Sequence, residues 1–291
     1  MTETIHRAAV LGKPVAHSLS PVIHNAGYAA AGLTGWAYTA IECAESELAT
    51  LVDGLGPQWA GLSLTMPLKE VALSVATQVS PVAAAVGAAN TLVRAIDGWH
   101  ADNTDIPGMV DALGEVPGGA SFTVLGAGGT ARAAIAAAAR CGAAGVTVVA
   151  RRPEAVAELR PVAEAVGVPF AGAGWADAAA HATADVVIST VPKGVADSLA
   201  AEVAWRPSTV LFDALYDPWP TPLAAAATAA GCRIVSGLDL LLAQAIDQWQ
   251  QFTGISPAPE RPCERPCSPP PSGVDQGLRG RAVRRVAPPT P

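Results

Sequence analysis

The sequence predicts an α/β protein of two domains, and three observations carry that reading. Short apolar runs of strand character alternate with helical stretches through the first third of the chain. From Ser121 onward, strand, glycine loop, helix and strand follow one another without a break. A chain of 291 residues, 51% of them apolar, is also long enough to build two ordinary cores. Strict alternation of this kind implies parallel sheet.

The first strands are AAVLG at 8–12, YTAIE at 38–42 and GLSLT at 61–65, with helices predicted over 21–31, 45–55 and 68–75. The second unit opens with FTVLG and runs through an alanine-rich helix over 130–141, the strand VTVVA and a helix over 153–166. Strands are expected at 185–189 and 209–213, and Pro218, Pro220 and Pro222 punctuate the loop after the second of these. CRIVSG supplies the last strand and leads into a helix from Leu238 to Phe252. After Ile255 the composition changes to SPAPERPCERPCSPPPSG and RGRAVRRVAPPTP, too poor in apolar residues to offset ordering entropy, so 256–291 is predicted to be a disordered Pro/Arg-rich tail.

Composition excludes several functions. The longest weakly polar stretch, 133–144, is interrupted by Arg140 and is too short to span a bilayer, so no membrane partner is expected. Glu3, His6 and Arg7 stand where a signal peptide needs an apolar run, which makes the cytoplasm the expected compartment. Five cysteines, at 43, 141, 232, 263 and 267, lack a paired spacing, pointing to reduced thiols and to no metal site. The formal charge is −7; the tail beyond residue 255 carries +3, leaving the body at −10, a balance that argues against nucleic acid as partner.

Gly126-Ala127-Gly128-Gly129-Thr130-Ala131 fits G-x-G-x-x-G/A, directly after a strand and directly before a helix. Glycines there let backbone approach a pyrophosphate, and the helix N-terminus offers free N–H groups to the anion. Tight βα turns also use glycine without any ligand. In a Rossmann-type unit the end of the second strand reads the ribose: an acid suits NAD, arginine suits a 2′-phosphate. Here that strand ends in Arg151-Arg152 with no acid, which favours NADP over NAD; without the loop upstream, the pair would read as two solvated cations.

The chain has three lysines, at 13, 69 and 193, and Lys69 lies in Thr65-Met66-Pro67-Leu68-Lys69. Polar clusters close two apolar runs at Gly87-Ala88-Ala89-Asn90-Thr91 and Ala101-Asp102-Asn103-Thr104-Asp105. Taken alone, a lysine at a helix start is usually solvated, and Asn90 and Asp105 read as turn residues bonding their own backbone.

Together with the segment from Gly12 to Asn25 (GKPVAHSLSPVIHN), TMPLK, GAANT, DNTD, GAGGTAR, YDPWPT and GLDLLLAQ stand in an order that resembles the shikimate dehydrogenase family, over residues 12 to 244. The resemblance implies reversible NADPH-dependent reduction of 3-dehydroshikimate to shikimate on the chorismate route to aromatic amino acids. It makes Lys69 and Asp105 the catalytic pair, the lysine moving a proton at the C3 oxygen. Ser18 and Ser20 would hold the substrate carboxylate, although Ser20 before Pro21 also reads as a helix N-cap. Thr65, Asn90, Tyr216 and Gln244 would bond the ring hydroxyls. The cofactor would fall to Gly126, Ala127, Gly128, Gly129, Thr130, Arg151 and Arg152, with Ala214 and Gly237 near the nicotinamide; no metal is required.

The implied architecture is a substrate domain of residues 1–105 plus 238–255, an NADP-binding Rossmann domain of 106–237, and an active site in the cleft between them, in a monomer or homodimer. Against the family pattern, Ser63 replaces asparagine, Ile188-Ser189-Thr190-Val191-Pro192 replaces an N-A-T-P type run, Ala150-Arg151-Arg152 replaces N-R-T, and the usual helix after Phe252-Thr253-Gly254 gives way to the tail. Quinate, quinate/shikimate and aminoshikimate dehydrogenases would carry much the same ring-binding residues, whereas a non-catalytic NADP-binding paralogue is the alternative that Lys69, Asp105, Asn90 and Gln244 together speak against.

Overall fold

Two six-stranded sheets order the chain, and a computed structural model describes residues 6–258 of it. The first sheet holds β1 (His6–Gly12), β2 (Trp36–Glu42), β3 (Trp59–Leu64), β4 (Gln78–Val79), β5 (Thr91–Ala95) and β6 (Gly98–Asp102), in the order β2-β1-β3-β5-β6-β4. The second holds β7 (Ser121–Leu125), β8 (Gly145–Ala150), β9 (Phe170–Gly174), β10 (Val186–Ser189), β11 (Val210–Asp213) and β12 (Arg233–Ser236), all parallel, in the order β12-β11-β10-β7-β8-β9. Counted from β7, that is the 3-2-1-4-5-6 order of a dinucleotide-binding sheet. The predicted tail lies outside the described residues from 259 onward, as do Cys263 and Cys267; Cys43, Cys141 and Cys232 are free thiols.

Three local expectations change. The first sheet is mixed, not parallel: β5 runs antiparallel to both β3 and β6, because Ile96 and Asp97 turn the chain in a hairpin just before Gly98. The helix expected over 68–75 is only a 3-10 turn at Val71–Ser74. The carbonyl of Lys69 accepts the N–H of Ala89 at 2.7 Å, so it is not free to continue an α-helix. The helix expected over 153–166 is broken into Pro153–Ala157 and Arg160–Val166 at Pro161, which has no N–H to give.

The core does not stop at the sheet boundary. Val86, Ile106, Met109 and Leu113 from two helices, with Ala88 of the loop after the first, share one buried cluster with Phe122, Val124 and Ile188 of the second sheet and Ala134 of the helix Gly129–Arg140. A 17-residue helix, Gly237–Thr253, returns from β12 to the first sheet, where Trp249 and Phe252 join Tyr28 and Tyr38.

Within that aromatic cluster sits His24, fully buried and stacked on Tyr38 with ring centroids 4.0 Å apart. The amide of Gln248 is a polar neighbour that favours a charged ring, but burial outweighs it and lowers the pKa from 6.5 to about 3. The unfolded chain therefore takes up a proton at His24 below about pH 6.5 that the folded chain refuses until about 3. Between those values falling pH favours unfolding, by about 1.4 kcal/mol per unit. Urea denaturation of His24→Phe, which keeps the stacked ring, is expected to show a shallower loss of stability from pH 6.5 to 4 than the parent chain.

Candidate active site

Parallel strands deliver their following loops to one edge, and the site is assembled from two such edges. In the first sheet, Gly12, Leu64 and Asp102 end β1, β3 and β6, while Thr91 begins the antiparallel β5 beside them, in register with Ser63 and Asp102. Lys69, Asn90 and Asp105 therefore emerge together. In the second sheet, the loops after β7, β8 and β10 line a cleft of about 580 Å³ at the point where the strand order reverses.

Lys69 Nζ donates to Asp105 Oδ2 at 2.6 Å, and the two side chains are only 15% and 6% exposed. Asp105 is the first residue of the helix Asp105–Leu113. Its other oxygen, Oδ1, accepts from Asn90 Nδ2 at 2.8 Å. Asn90 Oδ1 in turn accepts the backbone N–H of Thr104 at 2.8 Å and the hydroxyl of Thr91 at 2.8 Å. Neither Asn90 nor Asp105 is the self-bonding turn residue its sequence allowed; each bonds across the hairpin to the other.

The second sheet reaches the same lysine. Thr130 Oγ1 lies 3.4 Å from Lys69 Nζ, and a carbon added at Gly129 would stand 3.2 Å from Lys69 Cβ and 3.3 Å from Cδ. Gly126 takes φ +111°, open to glycine alone among ordinary residues, and Gly129 starts the helix Gly129–Arg140. Gly126, Ala127, Gly128, Ala150, Arg151 and Arg152 all line the cleft, beside Met66 of the TMPLK loop. Arg151 and Arg152 are exposed, and neither takes part in an ion pair among the described residues. Free N–H groups, a helix N-terminus and two unspent guanidiniums suit a pyrophosphate with a further phosphate on its ribose.

Other expected residues take distinct places. Gln244 is buried on the helix Gly237–Thr253, with its backbone against Gly108, and donates to Leu241 O at 2.9 Å. Thr65 follows β3, its methyl packed against Gly12 at the start of the loop that carries Ser18 and Ser20. Ser20 is buried but is not a helix cap: the cap position falls on Leu19, and Ser18 Oγ accepts the N–H of Ser20 at 3.3 Å. Ala214, after β11, lies against Gly237. Tyr216, two residues after Ala214, is half-buried with no side-chain hydrogen bond among the described residues; burial, and then the charge of Asp217, raises its pKa.

Sequence reading missed Trp175, which lines the cleft after β9, because nothing in an isolated tryptophan marks a pocket wall; the run 188–192, set against an N-A-T-P type sequence near the cofactor, does supply Thr190, Val191 and Pro192 to the cleft, though the run itself marks none of them as a site residue. It also missed Gln248, buried one turn beyond Gln244.

The profile of the shikimate dehydrogenase substrate binding domain matches residues 10–92, and that of a coenzyme F420-dependent NADP oxidoreductase matches residues 121–215. A shikimate dehydrogenase (NADP+) of Caulobacter vibrioides is 41% identical over 275 residues, 89% of this chain and 95% of its own length. The chain belongs to the shikimate dehydrogenase family. Another relative so named, from Anaeromyxobacter dehalogenans, is 42% identical over 262 residues, 86% of this chain and 91% of its own. Among solved structures, shikimate dehydrogenase of Mycobacterium tuberculosis superimposes with a TM-score of 0.80 at 49% identity, covering 87% of this chain and 95% of that one. A Thermus thermophilus family member in complex with NADP(H) and shikimate gives 0.75 at 32% identity, covering 87% and 95%.

A carbon added at Gly237 would strike the carbonyl of Ala214, with the carbonyl carbon 2.7 Å away, whereas one added at Gly128 meets nothing within 4 Å. Thermal unfolding is expected to show Gly237→Ala destabilised by about 1–3 kcal/mol, the cost of overpacking against backbone. Gly128→Ala should leave Tm unchanged.

Proposed function

We propose that this chain catalyses the reversible, NADPH-dependent reduction of 3-dehydroshikimate to shikimate, acting as a cytoplasmic monomer or homodimer without a metal. The observation that carries the reading is the contact of Lys69 with both halves of the site: its ammonium rests on Asp105 while its stem lies against Gly129 of the glycine loop. A proton donor is thereby held beside the place where a nicotinamide nucleotide would end.

NADPH, when bound, would supply the hydride that reduces the substrate's carbonyl carbon. The alkoxide oxygen that develops needs a proton, and Lys69 Nζ gives it in reduction and withdraws it in oxidation. Asp105 fixes the ammonium and balances its charge in a nearly closed site, where an unpaired cation would be costly. Ser18 and Ser20 offer hydroxyl donors to the substrate carboxylate, and Thr65, Asn90, Tyr216 and Gln244 read the ring hydroxyls. Residues 1–105 with 238–255 form the substrate part and 106–237 the cofactor part.

Gly126, Ala127, Gly128, Gly129 and Thr130 would hold the pyrophosphate, Arg151 and Arg152 would take the 2′-phosphate, and Ala214 and Gly237 would lie on the nicotinamide side.

Purified protein given shikimate and NADP+ is expected to develop NADPH absorbance rapidly, and much more slowly with NAD+ or with quinate. A quinate dehydrogenase of Corynebacterium glutamicum in complex with NAD shares the fold, with a TM-score of 0.77 at 27% identity. Preference for quinate and NAD+ would move the chain to that activity. Lys69→Ala should lose about 10²–10⁴-fold in turnover while binding NADPH normally, and undiminished turnover would remove Lys69 from the mechanism. Arg151→Ala should weaken NADPH far more than NADH; equal weakening would point to destabilisation instead.

A further inference from the structure

A line of buried side chains runs from Tyr38 to the catalytic carboxylate, and each link has a fixed direction. Tyr38 OH donates to Ser63 Oγ at 2.6 Å, and Ser63 Oγ donates to Gln248 Oε1 at 2.6 Å. Gln248 Nε2 donates to Thr91 Oγ1 at 3.0 Å and to the carbonyl of Asn90 at 3.1 Å. Thr91 passes its proton to Asn90 Oδ1 at 2.8 Å, and Asn90 Nδ2 donates to Asp105 Oδ1 at 2.8 Å. Tyr38, Ser63, Asn90, Thr91, Asp105 and Gln248 are each at most 4% exposed, so water does not supply these bonds.

The direction is set by backbone. The carbonyl of Asn90 can only accept, so the amino end of the Gln248 amide must face it and the oxygen end must face Ser63. Thr91 Oγ1 then receives from Gln248, and its own proton has two acceptors in reach, Thr104 Oγ1 at 3.2 Å and, nearer, Asn90 Oδ1 at 2.8 Å. The N–H of Thr104 can only donate, and it meets the same oxygen at 2.8 Å. The amino end of Asn90 is left facing Asp105, whose two oxygens accept, one from Asn90 and one from Lys69.

We propose that Gln248 is a positioning residue for the hydride-transfer reaction: its amide orients the Thr91 hydroxyl and the Asn90 side chain, and through them the carboxylate on which Lys69 rests. The inference rests on Lys69 and Asp105 being the catalytic pair. Gln248 occupies the same helix face as Gln244, one turn later, so a single helix carries a substrate-reading amide and the amide that aligns the pair.

Gln248→Leu keeps the volume and removes both hydrogen-bonding ends. It should lower kcat/KM for shikimate about tenfold, with kcat falling and NADPH affinity, followed by fluorescence titration, unchanged. Gln248→Glu tests the direction of the line. A protonated carboxyl can donate its one proton to the carbonyl of Asn90 and accept from Ser63, keeping one of the amide's two donations, whereas a carboxylate cannot donate at all.

Titratable and charged groups on the elements packed against this helix are His24, Tyr28, Arg94, Asp105, Asp111 and Arg233, with Asp239 and Asp247 on the helix itself; Tyr38 and Asp102 join through Ser63 and Gln251, while the two arginines are held by the carbonyls of Leu55 and Gly56 and of Leu113 and Glu115. Burial and these acids all disfavour a charged glutamate, so its ionisation moves up from the ordinary range. The variant is therefore expected to be active at low pH and to lose activity as pH rises through a new ionisation absent from the parent profile.

A folded Gln248→Leu with parental kcat and KM for shikimate would overturn the proposal. So would a Gln248→Glu profile superimposable on that of the parent. Failure of both variants to fold would also count against it, assigning Gln248 to stability alone. If Lys69→Ala were fully active, the catalytic pair itself would be wrong. If Lys69→Ala were inactive while both Gln248 variants behaved as the parent, only the role of Gln248 would fall.

Discussion

Lys69 can meet Asp105 and Thr130 at once because residue 129 has no side chain. With only 15% of its side chain exposed, the lysine needs a counter-charge close by, and Asp105 supplies one at 2.6 Å. Gly129 lies against the lysine stem, so the start of the helix Gly129–Arg140 and the start of the helix Asp105–Leu113 are brought to the same few ångströms from opposite sheets. The shared cluster of Ile106, Met109, Phe122 and Ala134 lies directly behind these helix starts, and close packing there holds the two edges in register. The chemistry of the site is in this sense a property of the core beneath it.

What the sequence showed, and what it hid, follows from how local each signal is. A glycine loop between a strand and a helix is written in consecutive residues, and Arg151-Arg152 follows the next strand directly, so the nucleotide side was readable position by position. Lys69, Asn90 and Asp105 stood out only through the motif order shared with the family, each alone reading as a solvated or turn residue, and their mutual bonds depend on the β5–β6 hairpin. That hairpin carried its own mark in Asp97-Gly98, masked by the expectation of uniform β/α alternation. The short turn at Val71–Ser74 was not readable at all, since the carbonyl of Lys69 is claimed by Ala89, twenty residues away.

The polar line through Tyr38, Ser63, Thr91 and Gln248 was the least readable feature of all. It draws on four elements, and the bond from Ser63 to Gln248 alone joins residues 185 positions apart, while each residue by itself has an ordinary explanation. A serine in an apolar strand and a glutamine on a helix suggest solvent or a local bond. Only the register of β3 against β5, with Ser63 opposite Thr91, brings their side chains onto a common face for Gln248 to bridge. Ser63, which departs from the family pattern, thus accepts from Tyr38 and donates to Gln248.

The helix Gly237–Thr253 unites the two halves of this arrangement. Its first residue is pressed against Ala214 at the end of β11, where any added carbon meets backbone, and its last turn is buried among Tyr28, Tyr38 and Trp249 under the first sheet. Seventeen residues of α-helix span about 25 Å, enough to reach from one sheet to the other without a joint. Ser236 and Asp239 close its N-terminus, the Asp239 carboxylate accepting the Ser236 N–H at 2.9 Å, and Gly254 ends it at φ +70°. A rod fastened at both ends carries Gln244 and Gln248 at fixed positions between the nucleotide cleft and the catalytic pair. The helix that packs against Ala214 beside the second sheet thus also reaches, through Gln248, the carbonyl of Asn90, whose side chain meets Asp105.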